Sequence, residues 1–154
     1  MTVILPGSYD PITLGHLALI KRAALEFDRV YAVAFINPEK SYEFSSEARL
    51  EMLRLATEDI DNVTVDFSDG LVVDYMREHG IDKIVKGYRN EADLEYEKKQ
   101  AEFNLLNGGF ETVLWLSEDE LSEVSSTRAR REIRSGGDLS DILPEKVISF
   151  INNH

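Results

Sequence analysis

Apolar residues along this chain fall into short unbroken runs separated by longer stretches with helical spacing. Residues 2–5, 30–36, 62–67, 81–85 and 110–116 are the short runs and read as five strands. The second run, Val30-Tyr31-Ala32-Val33-Ala34-Phe35-Ile36, is apolar almost throughout, as expected of a central parallel strand covered on both faces. Between the runs the spacing predicts helices. The first, over residues 14–27, places Leu17, Ile20, Ala24 and Phe27 on one face. A second starts at Ser45 or Ser46 and runs to about Thr57, and a third ends at His79-Gly80, where Gly80 suits a C-cap. A fourth runs from Asn90 or Asp93 to about Leu106, with Leu94, Ala101 and Leu105 as its buried stripe and Glu97 on the same stripe. A basic helix opens near Val124-Ser125-Ser126-Thr127 and ends at Gly136-Gly137, and a short helix over residues 144–152 closes the chain. Strands alternating with helices predict an α/β fold: a doubly wound, Rossmann-like, five-stranded parallel sheet with right-handed crossovers and helices on both faces. A length of 154 residues fits a single domain spanning 1–154.

The first strand runs into Leu5-Pro6-Gly7-Ser8-Tyr9-Asp10-Pro11-Ile12-Thr13-Leu14-Gly15-His16, and this stretch organises the rest. Pro6, Gly7, Pro11 and Gly15 punctuate a tight turn that leads directly into the first helix. A strand, a glycine-containing turn and a helix start bring free backbone N–H groups and a positive dipole end to one point, which suits a phosphate. His16, in the first helical turn, can donate a hydrogen bond to phosphate oxygens and, if protonated, add positive charge. Taken alone, His16 is more simply a histidine that happens to begin a helix; the whole run is harder to dismiss.

Charge complicates the phosphate reading. With 17 Lys and Arg against 29 Asp and Glu the formal net charge is −12, which repels a nucleic-acid backbone. Screening over roughly 8–10 Å at physiological salt still lets local cations build an anion site. Cysteine is absent, which removes disulfides and thiolate metal sites; no apolar run reaches membrane-spanning length and no export signal is read before the first strand. A cytoplasmic location is expected, with neither nucleic acid nor membrane as partner.

The basic residues fall after strands. Lys40 sits in the loop Asn37-Pro38-Glu39-Lys40-Ser41, at the strand edge where open α/β sheets bind ligands. Lys86-Gly87-Tyr88-Arg89 places a glycine among two cations after the fourth strand, though a basic loop balancing the acidic helix beyond it accounts for the same residues. Glu97 on an inward helix face requires partners. Ser125, Ser126 and Thr127 are good helix caps, and the same arrangement offers hydroxyls, N–H groups and a dipole to a phosphate tail. Ser117-Glu118-Asp119-Glu120 reads as a solvated loop, and no carboxylate cluster has convincing metal-ligand spacing.

These motifs resemble a known family. Ser8-x-Asp10-Pro11-x-Thr13-x-Gly15-His16 looks like the phosphate-binding T/HxGH motif of the nucleotidyltransferase superfamily, and in particular of the phosphopantetheine adenylyltransferases. Lys86-Gly87-x-Arg89, Ala92-Asp93-x-Glu95-Tyr96-Glu97 and Val124-Ser125-Ser126-Thr127-x-x-Arg130 are similar to further family motifs, so the resemblance spans nearly the whole chain. It implies transfer of AMP from ATP to 4′-phosphopantetheine, giving dephospho-coenzyme A and pyrophosphate. It implies that His16, Lys40 and Arg89 stabilise the transferring charge. ATP would meet Ser8, Tyr9, His16, Gly87, Tyr88, Arg89, Glu97, Val124, Ser125, Ser126, Thr127 and Arg130. Ser8, Lys40, Val72 and Lys86 would hold the acceptor. Mg²⁺ is implied, carried mainly by the ATP phosphates with no protein metal ligands, and so is a homohexamer. Lys86 stands where the family has arginine: it keeps the charge and loses the planar two-pronged donor. At this point two other readings stay open, a nucleotidyltransferase using CTP or another phosphorylated acceptor, and a nucleotide-binding module without turnover.

Overall fold

In a computed structural model of the chain, which describes residues 1–154 apart from the side chain of Asp119, twelve elements follow one another. They are β1 (Thr2–Gly7), α1 (Leu14–Glu26), β2 (Arg29–Phe35), α2 (Ser46–Thr57), β3 (Val63–Ser68), α3 (Val72–His79), β4 (Lys83–Tyr88), α4 (Glu91–Gly108), β5 (Thr112–Leu116), a 3-10 turn (Asp119–Leu121), α5 (Ser126–Ser135) and α6 (Glu145–Asn152). The strands form one parallel sheet in the order β3-β2-β1-β4-β5. The chain winds outward from β1 through β2 to β3, returns over α3 to β4, and ends at β5. Strand order therefore reverses between β1 and β4, and the crevice at the C-terminal ends of those two strands is where such sheets receive ligands.

The two faces of the sheet bury different alternating sets of residues, as strand geometry requires. Val3, Leu5, Val30, Ala32, Ala34 and Val85 pack with Ile20 and Ala23 of α1, Met52 and Leu53 of α2, Ala129 of α5 and Val147 of α6. Ile4, Val33 and Ile84 on the opposite face pack with Tyr75 and Met76 of α3. The doubly wound sheet anticipated from the run pattern is therefore present. No helix among the described residues is long and apolar enough to cross a membrane.

Three local expectations change. β4 extends to Tyr88, so Lys86 and Gly87 are strand residues rather than loop residues, aligned with Leu114 and Trp115 of β5. The expected buried stripe of α4 forms only in part: Glu97 is buried and Leu94 and Ala101 are half-buried, but Leu105 is 51% exposed. The physical reason is position, because α4 contacts α3, β4 and β5 at the margin of the sheet, where one narrow strip meets protein. The first helix ends at Glu26, and Phe27 serves as its C-cap.

Candidate active site

The loop from β1 to α1 is fixed from several directions. Asp10, 3% exposed, accepts hydrogen bonds from the main-chain N–H groups of Glu43 (2.9 Å) and Phe44 (3.0 Å). Arg130 Nη1 donates to the Asp10 carbonyl at 2.9 Å, and Ser126 Oγ donates to the Pro11 carbonyl at 2.8 Å. Tyr9 takes φ +48°, rare for a residue with a side chain, and its buried hydroxyl donates to the Leu5 carbonyl at 2.7 Å. A β-carbon at Gly7 would come 3.3 Å from the Tyr9 ring, so glycine allows that ring to fold back.

Thr13 caps α1, and its capping partner is His16. The Thr13 main-chain N–H donates to His16 Nδ1 at 3.1 Å, while Thr13 Oγ1 accepts from the His16 N–H at 3.3 Å. Nδ1 is thus an acceptor, the network assigns the ring proton to Nε2, and that N–H is the group left for a ligand. Burial, with the nearby Lys86 and Arg89 cations, holds the imidazole down to about 4. The histidine expected as a possible positive charge is a neutral donor at physiological pH in the unliganded protein.

Cations stand opposite. Lys86 Nζ lies 3.4 Å from Glu97 Oε1 and 3.5 Å from the Pro6 carbonyl it donates to, tying β4, α4 and the end of β1 together. Burial pushes the Glu97 carboxyl up, with Lys86 pulling it back, and its Oε2 has no hydrogen-bond partner among the described residues. Arg89 Nε pairs with Asp93 Oδ2 at 3.1 Å, and the same oxygen accepts from the Arg89 main-chain N–H at 3.2 Å. The guanidinium is thereby aimed by the first turn of α4.

The start of α5 supplies the remaining wall. Ser125 Oγ caps the helix by accepting from the Arg128 N–H at 3.1 Å, Ser126 Oγ is given to Pro11, and Thr127 Oγ1 accepts from Arg130 Nη2 at 3.1 Å. All three hydroxyls are engaged within the protein. Ser125 and Thr127 act there only as acceptors and keep their O–H protons for a ligand, so the segment offers an anion those donors together with its N-terminal N–H groups and dipole, as at the start of α1.

A cleft of about 530 Å³ joins these parts. Among the expected residues it is lined by Ser8, Tyr9, His16, Lys86, Gly87, Arg89, Glu97, Val124, Ser125, Ser126, Thr127 and Arg130. Three others lie away from its lining. Lys40 is exposed in the turn after β2, its main-chain N–H given to Asn37; Val72 begins α3 against the opposite core; Tyr88 ends β4, where its carbonyl accepts from the Ser117 N–H. Arg22 lines the cleft without having been singled out from sequence, and so do Asp93, read there as a helix start, and Glu118, read as part of a solvated loop. Arg22 lies seven residues beyond Gly15 and four beyond Ala18 on α1, the spacing of one helix face, which could have flagged it; its guanidinium carbon sits 3.9 Å from the centre of the Trp115 ring.

Residues 4–132 match the family model described as Cytidylyltransferase-like, which defines the class of protein. Over nearly its whole length the chain is also similar to curated proteins named phosphopantetheine adenylyltransferase. It is 42% identical over 152 residues to the one from Corynebacterium efficiens, covering 98% of this chain and 96% of the relative. It is 42% identical over 151 residues to that of Clostridium novyi (97% and 94%) and 40% identical over 149 residues to that of Clostridium beijerinckii (96% and 94%). The chain belongs to the cytidylyltransferase-like nucleotidyltransferases and, among them, to the phosphopantetheine adenylyltransferase family.

Proposed function

We propose that this chain, acting as a single nucleotidyltransferase domain, transfers the adenylyl group of ATP to 4′-phosphopantetheine, a step of coenzyme A synthesis. A phosphate oxygen of the acceptor bonds to the α-phosphorus, the bond from that phosphorus to the bridging oxygen breaks, and pyrophosphate leaves with the electron pair. The products are dephospho-coenzyme A and pyrophosphate. The attacking group is already an anion, so the enzyme needs no base, and positioning with charge stabilisation carries the step.

One observation supports this reading above the rest. The neutral donor of His16, the cations of Lys86 and Arg89 and the starts of two helices line one cleft at the reversal between β1 and β4. His16 Nε2–H donates to the α-phosphate as charge grows there, and Arg89 faces the departing pyrophosphate with the N–H groups of α5. Ser8 and Lys86 hold the acceptor phosphate. Lys40 reaches it from its exposed turn, and Val72 lies along the pantetheine arm. Gly87, Glu97 and Val124 border the nucleoside, with Tyr88 next to Gly87 at the end of β4 behind them. Tyr9 meets ATP through its main chain, because its hydroxyl is already given to Leu5.

Magnesium, when bound, neutralises phosphate charge and orients the leaving group. The ATP phosphates would carry it, with no protein side chain assigned as a ligand. Three apolar residues of α4 stand exposed outside the cleft, Phe103, Leu105 and Leu106, and suit contact with another copy of the chain; the family resemblance makes that assembly a homohexamer, read directly by sedimentation. A cytoplasmic location is part of the same proposal, and a chain without cysteine has no disulfide to call for an oxidising compartment.

The names of the relatives favour ATP and phosphopantetheine over CTP or a silent module. Pyrophosphate release tests the choice: it is expected with ATP, magnesium and 4′-phosphopantetheine together, and not when CTP replaces ATP. Release with CTP alone, or none under any condition, would overturn the reading.

A further inference from the structure

Arg49 is among the largest side chains fully enclosed in the protein, at 1% exposed, yet it lies outside every motif that points to the cleft. It sits in the first turn of α2. Its Nη1 donates to the Ser8 carbonyl at 2.9 Å, and its guanidinium carbon lies 3.9 Å from the centre of the Tyr42 ring. Among the described residues its Nε has no hydrogen-bond partner and no carboxylate comes within 4.0 Å of the group. A buried cation without a counter-ion is costly, and burial for packing alone would be served as well by an apolar side chain.

Its two contacts explain the cost. The peptide between Ser8 and Tyr9 is trans, so its carbonyl and its N–H point in opposite directions. Arg49 draws the carbonyl towards the core and thereby turns the Tyr9 N–H the other way, on a loop whose Ser8 and Tyr9 line the cleft. That N–H has no protein partner among the described residues. The second contact reaches the Lys40 turn: Tyr42 Oη accepts from the Asn37 N–H at 2.8 Å, and Asn37 in turn accepts from the main-chain N–H groups of Glu39 and Lys40. One guanidinium therefore braces the β1–α1 loop and the loop after β2 against each other.

We propose that Arg49 is a positioning residue for adenylyl transfer: it orients the Ser8–Tyr9 peptide so that the Tyr9 N–H binds a substrate phosphate, and it fixes the Lys40 turn through Tyr42. This rests on the proposed function, and the test separates the two. Arg49→Met keeps the bulk and removes the charge and the donors. Its melting temperature is expected within a few degrees of wild type, with kcat/KM for adenylyl transfer at least about tenfold lower. The Tyr9 amide signal in a ¹⁵N–¹H spectrum is expected to shift on adding inorganic pyrophosphate to wild type and not to the variant. Arg49→Lys retains charge and reach but not the flat face over Tyr42, and is expected about threefold or more below wild type. Should Arg49→Met not fold, Arg49→Lys carries the comparison. A folded Arg49→Met with wild-type kcat/KM and the same Tyr9 shift overturns the inference, as does an unimpaired Arg49→Lys where that variant stands alone. An inactive wild type that still shows the Tyr9 shift instead overturns the proposed function and leaves this placement of Arg49 intact.

Discussion

The main-chain N–H of Thr13 donates to His16 Nδ1 across 3.1 Å, so the protein itself consumes the ring's acceptor and presents its one N–H to the cleft. Replacing His16 with alanine removes that donor while leaving the core untouched. Turnover is expected to fall about 10²–10³-fold, the usual scale for one transition-state donor. The loss of stability is expected to stay near 1 kcal/mol, because only a capping interaction goes. Paired kinetics and chemical denaturation check this, and equal loss in both would remove His16 from catalysis.

The same ring makes a pH prediction. Its proton affinity is lower in the folded protein, at about 4, than the ordinary value of 6.5. Between those values the unfolded chain binds the proton and the folded chain does not, so stability rises with pH through that window and is complete above it. The contribution is at most roughly 3 kcal/mol, reduced by the water that the cleft admits. A ring-proton NMR titration of the unliganded protein is expected to show His16 turning over near 4, and a midpoint near 6.5 would contradict the assignment.

Lys86 and Glu97 form a partly sheltered pair at 3.4 Å whose acid is raised by burial. Lys86→Met leaves that carboxylate alone and is expected to cost about 1–3 kcal/mol at pH 7. A raised carboxyl binds its proton in the folded state before it does unfolded, so the variant should regain stability as pH falls towards the ordinary carboxylate range. Adding Glu97→Gln should restore most of the loss. A strictly additive double variant would show that the two groups do not interact.

Gly15 meets only ordinary contacts where a β-carbon would stand, 3.5 Å from Thr13 Oγ1 and 3.8 Å from Val124 Cγ1. Protein packing therefore does not require glycine there. Gly15→Ala is expected to melt at or slightly above wild type, since alanine is the better helix residue by about 0.5–1 kcal/mol. ATP affinity is expected to fall at least about tenfold, because the methyl group covers the start of α1 where phosphates approach. Calorimetric titration with ATP measures it, and unchanged affinity would move the phosphates elsewhere.

Much of this was legible in the chain because it is local. The strand runs, the Thr13 to His16 spacing, the Gly80 cap and the Ser125 cap all depend on residues within a few positions, where periodicity and capping chemistry act. What escaped depends on distance in sequence. Asp10 finds Glu43 and Phe44 over 33 and 34 residues, and Arg49 finds Ser8 over 41, so no spacing rule could show that a common acid and a common base lock the loop. Leu105 read as buried because periodicity gives a helix's face but not how much protein lies opposite it. The hydroxyls of Ser125, Ser126 and Thr127 have two uses by sequence, and the structure engages all three in capping and bracing while Ser125 and Thr127, as acceptors there, can still donate to a ligand.

Asp10→Ala checks that bracing. It leaves two half-buried main-chain donors without their acceptor and is expected to cost about 1–3 kcal/mol, with activity falling further than stability alone accounts for. Denaturant unfolding beside single-turnover kinetics measures both.

The most direct measurement follows the transferred group itself. ATP labelled at its α-phosphorus is incubated with magnesium, 4′-phosphopantetheine and the wild-type protein, and the label is traced by chromatography. Label appearing in dephospho-coenzyme A, in step with pyrophosphate and strongly reduced in His16→Ala, is the expected result. Label that stays in ATP, or leaves as free AMP without the acceptor, would contradict adenylyl transfer in this cleft.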